Sequence, residues 1–117
     1  MNINTSYLSA SQEFQKGNYV SALHALNQLL DSRRDAKTYA LLARTLVKLG
    51  LKAEAATAFA LAGNEGGSDS ERLLQNAMIL HFECGNDDEA LLIAKKFLHK
   101  AHKDADVAYV MASIFLK

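Results

Sequence analysis

The sequence predicts an all-α protein in which antiparallel helix pairs stack side by side. One observation is a recurring turn, in which a glycine that ends one helix is followed five residues later by an alanine inside the next. The three pairs are Gly17 with Ala22, Gly50 with Ala55, and Gly85 with Ala90. The glycines are 33 and then 35 residues apart, which is the spacing of stacked helix-turn-helix repeats. The other observation is that the chain has no proline and no alternating strand pattern, which favours helices throughout.

The apolar periodicity and the glycines set the expected helix boundaries. We expect helices near residues 3–16, 19–31, 36–49, 52–63, 70–84, 87–101 and 105–117. Asp35 and Asp104 are placed to act as N-caps, and Ser68 with Glu71 has the spacing of a capping box. Residues 64–70, with their paired glycines, are expected to form the longest loop.

Length and charge exclude several classes of function. The chain is expected to form one domain, 1–117, and half of its residues are apolar, so it can bury a core. Its 13 basic and 13 acidic residues cancel, which argues against a nucleic acid or an anionic membrane as partner. The single cysteine, Cys84, cannot form an intramolecular disulfide, and residues 1–10 lack the pattern of a secretory signal. We therefore expect a cytoplasmic protein, since no apolar stretch is long enough to cross a bilayer.

The repeated turn and the residues around it resemble the tetratricopeptide repeat. The second repeat fits best, through Tyr39, Leu42, Ala43, Leu46, Gly50, Ala55, Phe59 and Ala62. The first helix of the chain fits only when it is shifted by one residue, and the proline that usually follows the second helix of this family is absent. The resemblance implies a right-handed superhelix of three repeats, approximately 3–35, 36–69 and 70–104, with a terminal helix at 105–117.

The resemblance also implies a binding surface, because the first helices of successive repeats line a concave face in this family. The residues that it places there are Tyr7, Leu8, Ser11, Lys37, Leu41, Arg44, Lys48, Arg72, Asn76, Ile79, Val110 and Met111. The central part of this surface mixes apolar and basic side chains. Such a surface suits a peptide or helix of a partner protein that has apolar anchors and some acidic character.

A structural interpretation of the same positions stays open. Leu41, Ile79 and Val110 have the residue type and spacing of packing between helices, and exposed basic residues are often solvated without binding anything.

The last predicted helix is apolar on nearly every face, whereas a terminal repeat normally needs a polar outer surface. Tyr109, Ile114 and Phe115 are therefore expected to contact something outside this helix. One alternative is that the chain is the N-terminal module of a longer polypeptide. The other is that a partner or a second copy of the chain, as in a homo-oligomer, covers the helix.

Candidate catalytic or metal-ligating residues are few. His81 and Cys84 are three residues apart on one helix, as in a thiolate–imidazole pair, but no further ligands complete a site. We expect His81 to pack inside its repeat and Cys84 to behave as a small apolar residue. No catalytic residue and no cofactor or metal is therefore predicted.

Three classes of function follow, in order of preference. The first is a protein-protein interaction scaffold that binds its partner in the concave groove. The second is a small chaperone, similar to the compact tetratricopeptide chaperones that hold a substrate of bacterial type III secretion. An enzyme comes third, because neither a nucleophile motif nor a phosphate-binding loop is present.

Overall fold

A computed structural model of the chain describes residues 3–97 and 105–116, and all regular secondary structure in these two segments is α-helical. The helices are α1 (Ile3–Gln15), α2 (Tyr19–Leu29), α3 (Ala36–Lys48), α4 (Lys52–Asn64), α5 (Ser70–Glu83), α6 (Asp87–Lys95) and α7 (Ala105–Phe115). This agrees with the predicted order of elements. The largest difference is at α6, which ends at Lys95 because the amides of Lys96 and Phe97 bond three residues back in a tighter turn; residues 98–101 of the predicted helix lie outside the described residues.

Three turns join the helices into hairpins, and their backbones are nearly the same. Gly17, Gly50 and Gly85 have φ of 85°, 79° and 80°, a left-handed conformation that glycine adopts without steric cost. The amide of the next residue donates to the carbonyl five residues back in each turn: Asn18 to Glu13 at 2.9 Å, Leu51 to Leu46 at 2.9 Å, and Asn86 to His81 at 2.8 Å. This is the Schellman motif, so the predicted helix ends at these glycines are confirmed.

The repeated alanines lie where the helices of each pair meet. Ala22, Ala55 and Ala90 are completely buried, as predicted. Each helix packs against the next one in the chain, and further contacts join α1 to α3 and α5 to α7. Small side chains at these positions allow close approach of the helix axes.

Asp35 caps α3 as the sequence predicts. The amide of Thr38 donates to Asp35 Oδ1 at 2.9 Å, and the guanidinium of Arg33 donates to Oδ2 at 2.6 Å. Burial alone would raise the pKa of Asp35, but these hydrogen bonds outweigh it and lower the pKa to about 2. The other predicted N-cap, Asp104, lies outside the described residues.

The predicted capping box of Ser68 and Glu71 is wrong. Helix α5 begins at Ser70, as expected, but its N-cap is Asp69 and not Ser68, and Asp69 makes no side-chain capping bond. The Ser70 hydroxyl instead donates to the carbonyl of Gly63 at 2.6 Å. The hydrogen bond therefore ties the start of α5 to the end of α4.

Gly63 lies at a close contact between α4 and α5. The sequence placed it at the end of a helix, but α4 continues through Asn64 and Gly63 is buried within it. A Cβ atom at this position would lie 2.6 Å from Cγ of Leu74 and 3.1 Å from the carbonyl oxygen of Ser70. The absent side chain at Gly63 is thus what lets the third hairpin pack against the second.

The helices form an elongated body of 50 × 26 × 21 Å. Its radius of gyration is 15.2 Å, whereas a compact domain of this length would have roughly 13 Å. The core follows the long axis as one connected set of buried residues from Ala10 in α1 to Val110 in α7. None of the described helices combines the length and the apolar character that a membrane crossing requires.

Candidate partner-binding groove

A groove of about 760 Å³ lies between α1, α3 and α5, with Phe59 of α4 and residues 66–69 also at its wall. Half of the predicted partner-binding residues line it: Tyr7, Lys37, Leu41, Arg44, Arg72 and Asn76. The groove exists because α3 and α5 make little backbone contact with each other, although each packs closely on α4. The structure therefore brings together side chains from three helices that are far apart in the sequence.

The floor of the groove is apolar and its walls are partly made of very small residues. Leu41, Phe59 and Leu73 are all less than one-tenth exposed and form the floor. Ala40 and Gly66 line the groove without filling it. Leu41 is 4% exposed, which agrees with the structural interpretation of packing between helices, and its contact with a partner stays a prediction.

The N-terminal end of α3 holds a cation against an aromatic ring of α1. Nζ of Lys37 lies 4.4 Å from the centroid of the Tyr7 ring, and the guanidinium carbon of Arg33 lies 5.1 Å from it. Burial raises the pKa of the Tyr7 phenol, while Arg33 and Arg44 act in the opposite direction. The phenol is thus a neutral hydrogen-bond donor at physiological pH, beside two fixed positive charges.

The same arrangement recurs two turns further along α3. The guanidinium carbon of Arg44 lies 5.0 Å from the centroid of the Phe14 ring, which meets the Tyr19 ring edge-on at 5.5 Å. Arg44 and Phe59 also line a second cavity of about 490 Å³, together with Lys48. The two cavities are neighbours that share Arg44 and Phe59 in their walls, and together they are called here the α3 groove.

The α3 groove carries positive charge in a chain whose formal net charge is zero. Lys37, Arg44 and Lys48 are exposed, as the sequence predicts, and form no ion pair within residues 3–97 and 105–116. Nη2 of Arg72 lies 3.4 Å from Oδ2 of Asp69. Both side chains are well exposed, so this ion pair contributes little to stability. The excess positive charge favours an acidic ligand.

The remaining predicted residues lie outside the α3 groove. Leu8 is 57% exposed on α1, and Ser11, Ile79 and Met111 are half-buried. None of these four lines either cavity. Val110 is 2% exposed and packs in the core, which agrees with the structural interpretation of this position, and its role in binding stays a prediction.

Helix α7 buries one face and exposes an aromatic side chain on another. Val107 and Val110 are buried, whereas Tyr109 is 65% exposed although its ring meets Phe82 edge-on at 5.9 Å. Ile114 is half-buried, and the side chain of Phe115 lies outside the described residues. An intermolecular contact through this helix stays a prediction, which light scattering of an Ile114→Glu variant would test.

The His81 and Cys84 pair has a different outcome for each residue. His81 is buried, as expected, and burial lowers its pKa, while Glu89 acts in the opposite direction. Asn86 Nδ2 lies 3.5 Å from His81 Nδ1. Cys84 is exposed after the end of α5, so the expectation that it packs as a small apolar residue is wrong. Across the described segments no three His, Cys, Asp or Glu side chains cluster as metal ligands.

Sequence reasoning missed the aromatic side of the groove, above all Phe14 and its contact with Arg44. A signal was present, because Tyr7 and Phe14 are seven residues apart, and so are Lys37 and Arg44. Equal spacing on two helices that lie side by side in the same direction produces two equivalent contacts.

No protein-family model matches the chain, and no curated protein is similar enough to count as a relative. The lining and the charge of the α3 groove are therefore the observations that bear on the function of this chain.

Proposed function

We propose that the chain is a repeat protein of the tetratricopeptide type, in which three hairpins and a terminal helix form a right-handed superhelix. The proposal is supported by the three Schellman turns and by the buried alanines that follow them at equal distance. It is also supported by the elongated shape, which is typical of stacked repeats. In this arrangement α1, α3 and α5 are the first helices of their repeats and share the concave side.

We propose further that the chain is a protein-protein interaction scaffold, which binds an acidic segment of a partner in the α3 groove. The observation that carries the proposal is that Lys37 and Arg44 each lie against an aromatic ring at the wall of the α3 groove, above an apolar floor. Cations with restricted rotamers lose less conformational entropy when they bind a carboxylate. Their arrangement recognises charge and shape, so we propose binding and not catalysis.

The experiment measures the affinity of labelled acidic peptides by fluorescence anisotropy. The probes have about 16 residues, with glutamate and leucine as the main residue types. Some are locked as helices, and one is kept extended. We expect binding that weakens between about 50 and about 500 mM salt, because exposed charges are screened. The variant Arg44→Glu with Lys48→Glu should lose affinity roughly tenfold or more.

Lys95→Glu is the matched control, since Lys95 is an exposed lysine on α6 that lines neither cavity. It changes the net charge in the same direction and should leave the affinity nearly unchanged. If no acidic peptide binds, or if the control weakens binding as much as the groove variant does, the proposed function is wrong.

A further inference from the structure

The cations of the α3 groove have a spacing that restricts the conformation of what binds there. Lys37, Arg44 and Lys48 are separated by seven and then four residues of one continuous helix. With a rise of 1.5 Å per residue, they are about 10 Å and then about 6 Å apart along the helix axis. All three side chains line the α3 groove, so they lie on one face of α3.

An extended peptide does not reproduce this spacing. Its side chains point to one face only at every second residue, which gives steps of about 7 Å and about 14 Å on that face. A step of about 10 Å corresponds to three residues, whose side chain points to the opposite face. An extended segment along α3 can therefore satisfy one or two of the three cations at most without a bulge.

A helix alongside α3 has the same period and the same rise as α3 itself. Acidic residues at i, i+4 and i+11, or at i, i+7 and i+11 in the other orientation, lie on one face and face the three cations together. We propose that the segment bound in the α3 groove is an amphipathic α-helix that runs along α3 and carries its acidic residues in this pattern. The inference rests on the proposed function, for which it specifies the ligand.

The walls of the groove are compatible with a helix of this kind. Ala36, Ala40, Gly66 and Gly67 leave the space between α3 and the start of α5 open to a backbone. Val47 is partly exposed on the same side and offers an apolar contact between Arg44 and Lys48. Because small residues allow helix axes to approach closely, the acidic side chains of the partner can reach the cations.

The cations are also positioned before the partner arrives. The Tyr7 ring favours one position of Lys37 and the Phe14 ring favours one position of Arg44, by roughly 0.5 to 1 kcal/mol each at exposed sites, so the observed interval between the two charges is favoured. A ligand with a different interval would have to pull one cation away from its ring.

The test compares labelled peptides of about 16 residues that carry three glutamates each and the same net charge. Two are locked as helices by a side-chain staple on the face opposite the glutamates, one with glutamate at i, i+4 and i+11 and one with i, i+7 and i+11. The third has its three glutamates at alternate positions, separated by apolar residues, with a central proline that prevents helix formation. We expect one of the helical peptides to bind at least roughly tenfold more tightly than the alternating peptide, a difference of about 1.4 kcal/mol.

A charge exchange then tests the register. Replacing the glutamate that faces Arg44 with lysine should weaken binding to the wild-type chain and restore binding to Arg44→Glu. Lys95→Glu should restore nothing.

The outcomes separate the two proposals. If the alternating peptide binds as tightly as both helical peptides, with the expected loss in the groove variant, the scaffold function stands and the helical ligand is wrong. A helical peptide with its glutamates at scrambled positions is the control for the register. If it binds as tightly as both helical patterns, the proposed spacing of acidic residues is wrong. If none of the peptides binds, the proposed function fails and this inference fails with it.

Discussion

Arg44 of α3 lies over the ring of Phe14 of α1, with its guanidinium carbon 5.0 Å from the ring centroid. Seven residues earlier on both helices, Lys37 lies over Tyr7 at 4.4 Å. The two contacts show that α1 and α3 run in the same direction side by side. The aromatic rings of the first hairpin therefore help to position the cations of the second hairpin.

The ring of Phe14 should therefore matter for binding. Phe14→Leu keeps an apolar side chain but removes the aromatic face, so Arg44 should gain rotamer freedom. We expect the free energy of unfolding to fall by about 1 to 2 kcal/mol, partly from lost packing, and affinity for the acidic peptide to fall several-fold. Tyr109→Leu removes an exposed ring of α7 and should leave the affinity unchanged; equal loss in both variants would contradict the role of the Phe14 ring.

Ala55 and Ala53 form a matched pair for the helix contact in the second hairpin. Ala55 is completely buried, whereas Ala53, two residues earlier on the same helix, is exposed. Ala55→Arg should destabilise the chain by several kcal/mol through overpacking and an unpaired buried charge. Ala53→Arg should change stability by less than about 0.5 kcal/mol. Urea denaturation of both variants checks this, and tolerance of arginine at Ala55 would contradict the assigned packing.

Gly63 should not tolerate a methyl group, although alanine is the better helix former. Gly63→Ala gains up to about 1 kcal/mol in helix propensity, but its Cβ would lie 2.6 Å from Cγ of Leu74. We expect a net loss of about 1 to 3 kcal/mol in the free energy of unfolding. The loss should be smaller in a Leu74→Ala background, because that change removes the nearest atoms. Equal losses in both backgrounds would place the strain elsewhere.

The Asp35 cap predicts a pH dependence of stability. The pKa of Asp35 in the folded chain is about 2, below its ordinary value of 3.8, so its stabilisation is present above pH 4 and is lost as pH falls towards 2. At pH 7, Asp35→Ala should cost about 1 kcal/mol, and this cost should shrink at lower pH. Asp69→Ala removes a carboxylate with no capping bond and should cost much less. A constant cost of Asp35→Ala from pH 7 to pH 2 would contradict the assignment.

The hairpins could be predicted from the sequence because their signals are local. A glycine with positive φ and an alanine five residues later depend only on neighbouring backbone and on the helix that packs there. The same holds for Asp35, whose capping bond reaches three residues along the chain.

The parts that could not be predicted depend on contacts between distant segments. Ser68 has the spacing of a cap, but the bond from Ser70 to Gly63 fixes the start of α5. Val110 has the position of a groove residue, but the rotation of α7 about its axis decides which face is buried. The stacking of Arg44 on Phe14 requires the lateral position of α1 against α3, which helix periodicity does not give.

If the α3 groove is the surface that binds a partner, the residues that line it should respond when a partner is added. Backbone amide chemical shifts of the ¹⁵N-labelled chain, titrated with the better helical peptide, test this most directly. We predict that the largest changes fall on residues that line the α3 groove, such as Lys37, Arg44 and Asn76, and that they disappear in Arg44→Glu with Lys48→Glu. Changes concentrated on the exposed side of α2 or α6, or on Tyr109 and its neighbours in α7, would contradict it.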